Sequence, residues 1–126
     1  MSKMAQPQAV QAHKEDVISW SHFQQVRLCV GTIIAVDDFP EAKKPAYKLQ
    51  VDFGSEIGTR KCSAQITALY NKQELLDKQV VAVVNFPPKQ IGPFMSECLV
   101  TGFYRENGDV VLAVPDKPVS NGQRLG

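Results

Sequence analysis

QVVAVVNFPPKQIGPFMSECLV, residues 79–100, decides how this chain is read. Val80 to Val84 is apolar at every position instead of alternating, so this strand is expected to be buried on both faces, as in a small closed barrel or beneath a partner subunit. Pro87 and Pro88 have no N–H to give a ladder and hold the residues before them extended, so pairing ends at Asn85 and Phe86. A second apolar strand opens at Ser96 and Glu97. Asn85, Lys89, Ser96 and Glu97 then fall at one rim. An amide, an ammonium, a hydroxyl and a carboxylate on two strands make a recognition surface rather than a reaction centre, because a carboxylate beside Ser96 is a poor base for activating a hydroxyl. Asn85 has two readings: its side chain satisfies backbone groups freed by Pro87 and Pro88, or it meets a ligand.

Toward the N-terminus, residues 1–14 are rich in Gln, Ala and Lys without periodicity and read as a flexible arm, leaving 15–126 as one domain. Ser21 followed by Gln24 fits a capping box, with Trp20 and Phe23 as apolar anchors of a short helix. Leu28, Val30, Ile34 and Val36 alternate onto one face of a first strand, and Gly31 is the place for a bulge or bend. Tyr47, Leu49, Val51 and Phe53 alternate against Lys48, Gln50 and Asp52 in a second. Gly54 and Gly58 bracket the turn into a third, Thr59 to Ser63. Ile66, Leu69 and Tyr70 have the spacing of a helical face, so a helix links the third strand to the Val80 strand. Three strands, a helix and two further strands is the order of an OB-fold. The class expected is all-β with short helices: a five-stranded Greek-key barrel with an N-terminal helix and a C-terminal extension. Asn107-Gly108 turns the chain into Val110 to Val114, which Pro115 ends, and residues 115–126 form the turn-rich extension.

The chain has 126 residues, 14 basic and 13 acidic, for a net charge of +1. That length buries roughly two thirds of the unfolded surface in one domain. The charge lacks the global excess of a strong nucleic-acid binder, so such binding would rest on local patches. The candidates are Lys43, Lys44 and Lys48, then Arg60 and Lys61, then Lys72, Lys78 and Lys89, interleaved with Asp37, Asp38, Glu41 and Glu56. Cys29, Cys62 and Cys98 form no C-x-x-C and lie in apolar runs, which reads as buried free thiols in a reducing cytoplasm. No stretch reaches the ~20 apolar residues of a membrane span, and the first residues lack a signal-peptide core, so a cytoplasmic protein without membrane insertion is expected. His13 and His22 are the only histidines. They supply no metal ligand set, and the absence of G-x-S-x-G, phosphate-loop and dinucleotide motifs leaves no catalytic residues and no cofactor to assign.

Residues 85–97, NFPPKQIGPFMSE, resemble the asparagine, proline/lysine and Ser-Glu signature of the tRNA-binding domain family, whose members occur as appendages on aminoacyl-tRNA synthetases and as free-standing proteins. Residues 30–58 (VGTIIAVDDFPEAKKPAYKLQVDFGSEIG), 62–70 (CSAQITALY) and 108–126 (GDVVLAVPDKPVSNGQRLG) extend the resemblance from about Trp20 to Gly126 and direct it to the family's export-chaperone branch. The resemblance implies an OB-fold and tRNA recognised by shape. Lys43, Lys44, Arg60 and Lys61 would meet phosphates, and Asn85, Lys89, Ser96 and Glu97 would meet bases or the 2′-hydroxyl. The chaperone branch implies a homodimer that holds unfolded or pre-secretory polypeptides, with the export machinery as a further partner. Phe39, Phe86, Phe94 and Met95 would be the peptide contacts, since Met and aromatic side chains adapt to varied partners. Many RNA-binding members follow Ser-Glu with Gly and Met; Cys98 and Leu99 stand there here, which favours the chaperone branch.

Overall fold

The computed structural model describes residues 16–126. The arm expected over residues 1–14 lies outside the described residues. The first helix, α1 (Trp20–Gln25), is capped by Ser19: its hydroxyl accepts from the His22 N–H at 3.2 Å, and the His22 Nδ1 accepts from the Ser19 N–H at 3.3 Å. The cap therefore precedes the expected Ser21–Gln24 pair. A histidine fills the reciprocal position, and a search for Glu or Gln there passes over it.

The chain then runs β1 (Leu28–Asp38), β2 (Tyr47–Asp52), α2 (Gly54–Ile57), β3 (Thr59–Ala64), α3 (Lys72–Leu75) and β4 (Gln79–Val83). It continues with β5 (Lys89–Ile91), β6 (Phe94–Ser96), β7 (Leu99–Val100), β8 (Gly102–Tyr104) and β9 (Val110–Leu112). One five-stranded antiparallel sheet has the order β3-β2-β1-β4-β7, and β5–β6 and β8–β9 are hairpins. The end of β6 closes it: the Glu97 N–H donates to the Lys61 carbonyl at 2.8 Å, and the Ser63 N–H to Ser96 Oγ at 3.1 Å. The result is the nearly closed barrel of an OB-fold, as the element order predicts.

Ile33, Leu49, Val51, Phe53, Cys62, Leu75 and Val80 fill the interior. Val80, Ala82 and Val84 of the apolar run join this core, Val83 is buried on the opposite face, and Val81 is half-buried. The inward face of β1 is Cys29, Gly31 and Ile33, not the expected Leu28 and Val30. Its register shifts between Ile33 and Ala35 rather than at Gly31, so Ile34 is extruded and Val36 returns to the core. Gly31 serves close packing: a Cβ there would lie 2.6 Å from Val51 and 2.7 Å from Phe53, the ring that fills the barrel.

The linking helix also sits later than the apolar spacing of Ile66 to Tyr70 suggests. Residues 67–69 form a turn, and α3 begins after Asn71, whose Oδ1 accepts from the Glu74 N–H at 2.8 Å while Glu74 Oε1 accepts from the Asn71 N–H at 2.7 Å. This capping box starts the helix. Tyr70 instead ties strands together, its hydroxyl accepting from the Leu112 N–H at 3.0 Å and its carbonyl from the Tyr47 hydroxyl at 2.8 Å. β9 ends at Leu112, before the expected Val114. The C-terminal extension pairs along the first residues of β1, through Gly122 N–H to Val30 O at 2.7 Å, Val30 N–H to Gln123 O at 3.0 Å and Leu125 N–H to Leu28 O at 2.8 Å.

Candidate nucleic-acid interface

Alternation along β2 and β3 turns Lys48, Gln50 and Asp52 outward beside Ser63, Lys61 and Thr59, their cross-strand partners. Phe94, at the start of β6, lies against this face. Its ring centroid is 5.4 Å from that of Phe39, at an interplanar angle of 59°. Lys61 Nζ stands 5.1 Å from the Phe94 centroid, and Lys48 Nζ stands 5.5 Å from Phe39 and 6.0 Å from Phe94. Phe39 opens the β1–β2 loop, which carries the exposed Lys43 and Lys44. The β5–β6 turn closes on that loop, since a Cβ at Gly92 would meet the Glu41 carbonyl at 3.8 Å. Two loops and one barrel face thus carry four lysines and an aromatic pair, Phe39 buried and Phe94 half-buried. Oligonucleotides bind OB-folds on this face and between these loops, where aromatic rings stack on bases and lysines track phosphates.

Three of the four rim residues, Asn85, Ser96 and Glu97, hydrogen-bond to backbone groups of other elements. Asn85 Oδ1 accepts from the Arg27 N–H at 3.0 Å and its Nδ2 donates to the Gln25 carbonyl at 2.8 Å. Its amide therefore satisfies backbone groups at the end of α1 and the entry to β1, not groups freed by Pro87 and Pro88. Asn85→Ala is expected to cost about 1 kcal/mol, the usual worth of such bonds, and to lower the melting midpoint by a few degrees while sparing tRNA affinity. A thermal melt and a binding titration check this; an unchanged midpoint with weakened binding would assign the amide to the ligand.

Ser96 is buried, accepting from Ser63 and donating to the Cys98 carbonyl at 3.4 Å, and Glu97 Oε1 accepts from the Lys61 N–H at 3.1 Å. Both side chains stitch the barrel seam that carries Lys61. Lys89 is exposed on β5, opposite Ser96. The Arg60 guanidinium donates to the Val84 carbonyl, and Thr59, Arg60, Phe86, Pro88 and Glu97 line an open concavity of about 380 Å³. Of the aromatic and Met residues expected to meet peptide, Phe86 is 55% exposed and Met95 is exposed, whereas Phe39 is only 4% exposed and supports Phe94. Lys72 is engaged by Asp38 at 3.0 Å, a contact that raises its ammonium above the usual lysine range. Lys48 was legible as one basic residue among several, and its place over the aromatic pair follows only from the β2–β3 register. Among the described residues no group of three or more His, Cys, Asp or Glu is placed to hold a metal, and no helix is long and apolar enough to cross a membrane.

Barrel, seam and face together define a small OB-fold binding module. Residues 28–124 match the family described as "Putative tRNA binding domain", and the chain belongs to that family. Among solved structures it is similar to the chaperone CsaA of Bacillus anthracis, at 44% identity and a TM-score of 0.82, with 87% of this chain and 99% of that one covered. It is likewise similar to the CsaA chaperone protein of Picrophilus torridus, at 47% identity and a TM-score of 0.82, covering 87% and 100%. It is also 33% identical over 113 residues to the methionine–tRNA ligase of Thermococcus onnurineus, which is 89% of this chain but 15% of the ligase. The chain thus spans about 15% of the length of that relative.

Proposed function

We propose that this protein is a non-catalytic tRNA binder whose homodimer also holds unfolded or pre-secretory polypeptides in the cytoplasm, in the service of the export machinery. The observation that carries the RNA reading is the pair Lys48 and Lys61 set over Phe94 on the β2–β3 face. Lys43, Lys44 and Lys89 extend the positive field around it, and Phe94 offers a ring to a splayed base. The family match supports the same ligand. Polypeptide binding is supported by the CsaA neighbours, named as chaperones, and by exposed Phe86 and Met95.

Dimerisation is supported by an apolar row across the outer face. Leu99 faces Val83, Val83 faces Leu28, and Leu125 lies beside Leu28 through the tail pairing. Leu99 and Leu125, its two ends, are each 49% exposed. Such a row is what an isologous two-fold contact covers.

The test is a parallel titration with total tRNA and with a permanently unfolded polypeptide across a salt series. The tRNA arm is expected to weaken steeply with salt through counterion release, and the polypeptide arm to change little. A tRNA arm that is flat in salt overturns the electrostatic reading. An absent polypeptide arm reduces the protein to a pure tRNA-binding module.

A further inference from the structure

The concavity of about 380 Å³ has the size of a small-ligand site and opens beside Thr59, the first residue of β3. Arg60 and Glu97, both half-buried, line it with opposite charges, yet no ion pair joins them. Each is anchored by a single side-chain bond: the Arg60 guanidinium gives one N–H to the Val84 carbonyl, and Glu97 Oε1 accepts from the Lys61 N–H at 3.1 Å. The other guanidinium donors and Glu97 Oε2 have no partner among the described residues. Phe86, 55% exposed, walls the same opening together with Pro88. A flat ring can stack there while its edge meets the two charged groups. That edge must offer a donor to the free carboxylate oxygen and acceptors to the guanidinium fork. Cytosine does so, with N4–H for Glu97 and with N3 and O2 side by side for Arg60. Guanine presents donors where the fork needs acceptors, uracil sets O4 against the carboxylate and N3–H against the guanidinium, and adenine has only N1 for the fork.

We propose that this concavity is a base subsite for an unpaired cytosine, with Phe86 stacking on the ring, Glu97 accepting from N4–H, and Arg60 donating to N3 and O2. The assignment rests on the tRNA-binding reading and adds a sequence preference to it. Lys61 and Thr59 project from the same face of β3, roughly 7 Å apart along the strand. A single strand whose base stacks on Phe94 beside Lys61 therefore delivers a neighbouring base to the opening at Thr59. The Glu97 carboxylate repels a phosphate, so Arg60 meets a base here and the lysines meet the backbone. A peptide unit also carries a donor and an acceptor, but it lacks the flat ring that Phe86 covers and the charge that the flanking lysines attract.

The full chain is titrated by fluorescence anisotropy with labelled six-nucleotide oligouridylates, either unsubstituted or carrying one central C, A or G. The C-containing strand is expected to bind about tenfold more tightly than the other three, the usual worth of a good base contact. Glu97→Gln keeps an oxygen for the Lys61 N–H and is expected to erase that preference. Phe86→Ala is expected to weaken all four strands about tenfold, since stacking is sequence-tolerant. Equal affinities for the four strands, or a cytosine preference that survives Glu97→Gln, overturn the subsite. Phe86→Ala that abolishes binding of an unfolded polypeptide but spares the C-containing strand gives the concavity to polypeptide and also overturns it. Total tRNA is titrated alongside: salt-dependent tRNA binding without a cytosine preference removes this subsite alone, whereas absent tRNA binding removes the RNA reading with it. The four strands on the unsubstituted chain decide the matter even where a variant fails to fold.

Discussion

Replacing Lys48 and Lys61 together by glutamate is expected to lower tRNA affinity at least about 100-fold, because each lost charge-assisted phosphate contact costs roughly 1.5–3 kcal/mol and 1.4 kcal/mol is a tenfold change. The slope of log affinity on log salt is expected to flatten by about two units, as the replaced lysines release counterions no longer. Stability is expected to change little. Both side chains point outward, and the seam bonds of Lys61 run through its backbone N–H and carbonyl, which glutamate keeps. Fluorescence anisotropy at several salt concentrations beside a thermal melt makes the measurement. Suppression of a denatured client's aggregation is expected to persist, since Phe86 and Met95 are untouched. An unaltered tRNA affinity with a normal melt would place the RNA elsewhere, and a parallel Lys43→Glu, Lys44→Glu protein then asks whether the β1–β2 loop holds it.

What was legible in the sequence divides by whether the signal was local. The unbroken Val80–Val84 run and the alternation from Tyr47 to Phe53 announce their burial because each residue's neighbours along the chain carry the pattern. Gly31 carries no side chain to show its face, so the inward register of β1 was hidden, and the extrusion of Ile34 reversed the alternation beyond it. Asn71 and Glu74 spelled the true start of α3, but the apolar spacing of Ile66 to Tyr70 competed with them, and Tyr70 was needed for strand tethering. The candidate site was legible in its residue types only. Nothing local couples Lys48 on β2, Lys61 on β3 and Phe94 on β6, because barrel closure brings them together. The same closure hands Ser96 and Glu97 to the backbone of β3, and Asn85 to Gln25 and Arg27 far upstream.

Sedimentation at micromolar concentration is expected to give about twice the 13.9 kDa chain mass, and Leu99→Asp with Leu125→Asp to reduce it to the single-chain value. Half of each leucine already faces solvent in the single chain, so an aspartate there can stay hydrated and the barrel can still fold. In a dimer covering the Leu99–Val83–Leu28–Leu125 row, the same carboxylates would be taken from water without partners, a cost of several kcal/mol that a contact of ordinary size does not outweigh. Each residue would also occur twice about the two-fold axis, which doubles the penalty. A dimer presents two β2–β3 faces to one structured RNA, so its dissociation should weaken tRNA binding further by removing the second, intramolecular contact. That loss is distinguishable from the lysine effect by the sedimentation mass, which the lysine replacement is expected to leave at the dimer value. A starting protein of strictly single-chain mass would remove the assembly from the proposal, and a variant that remains dimeric would move the interface off this row.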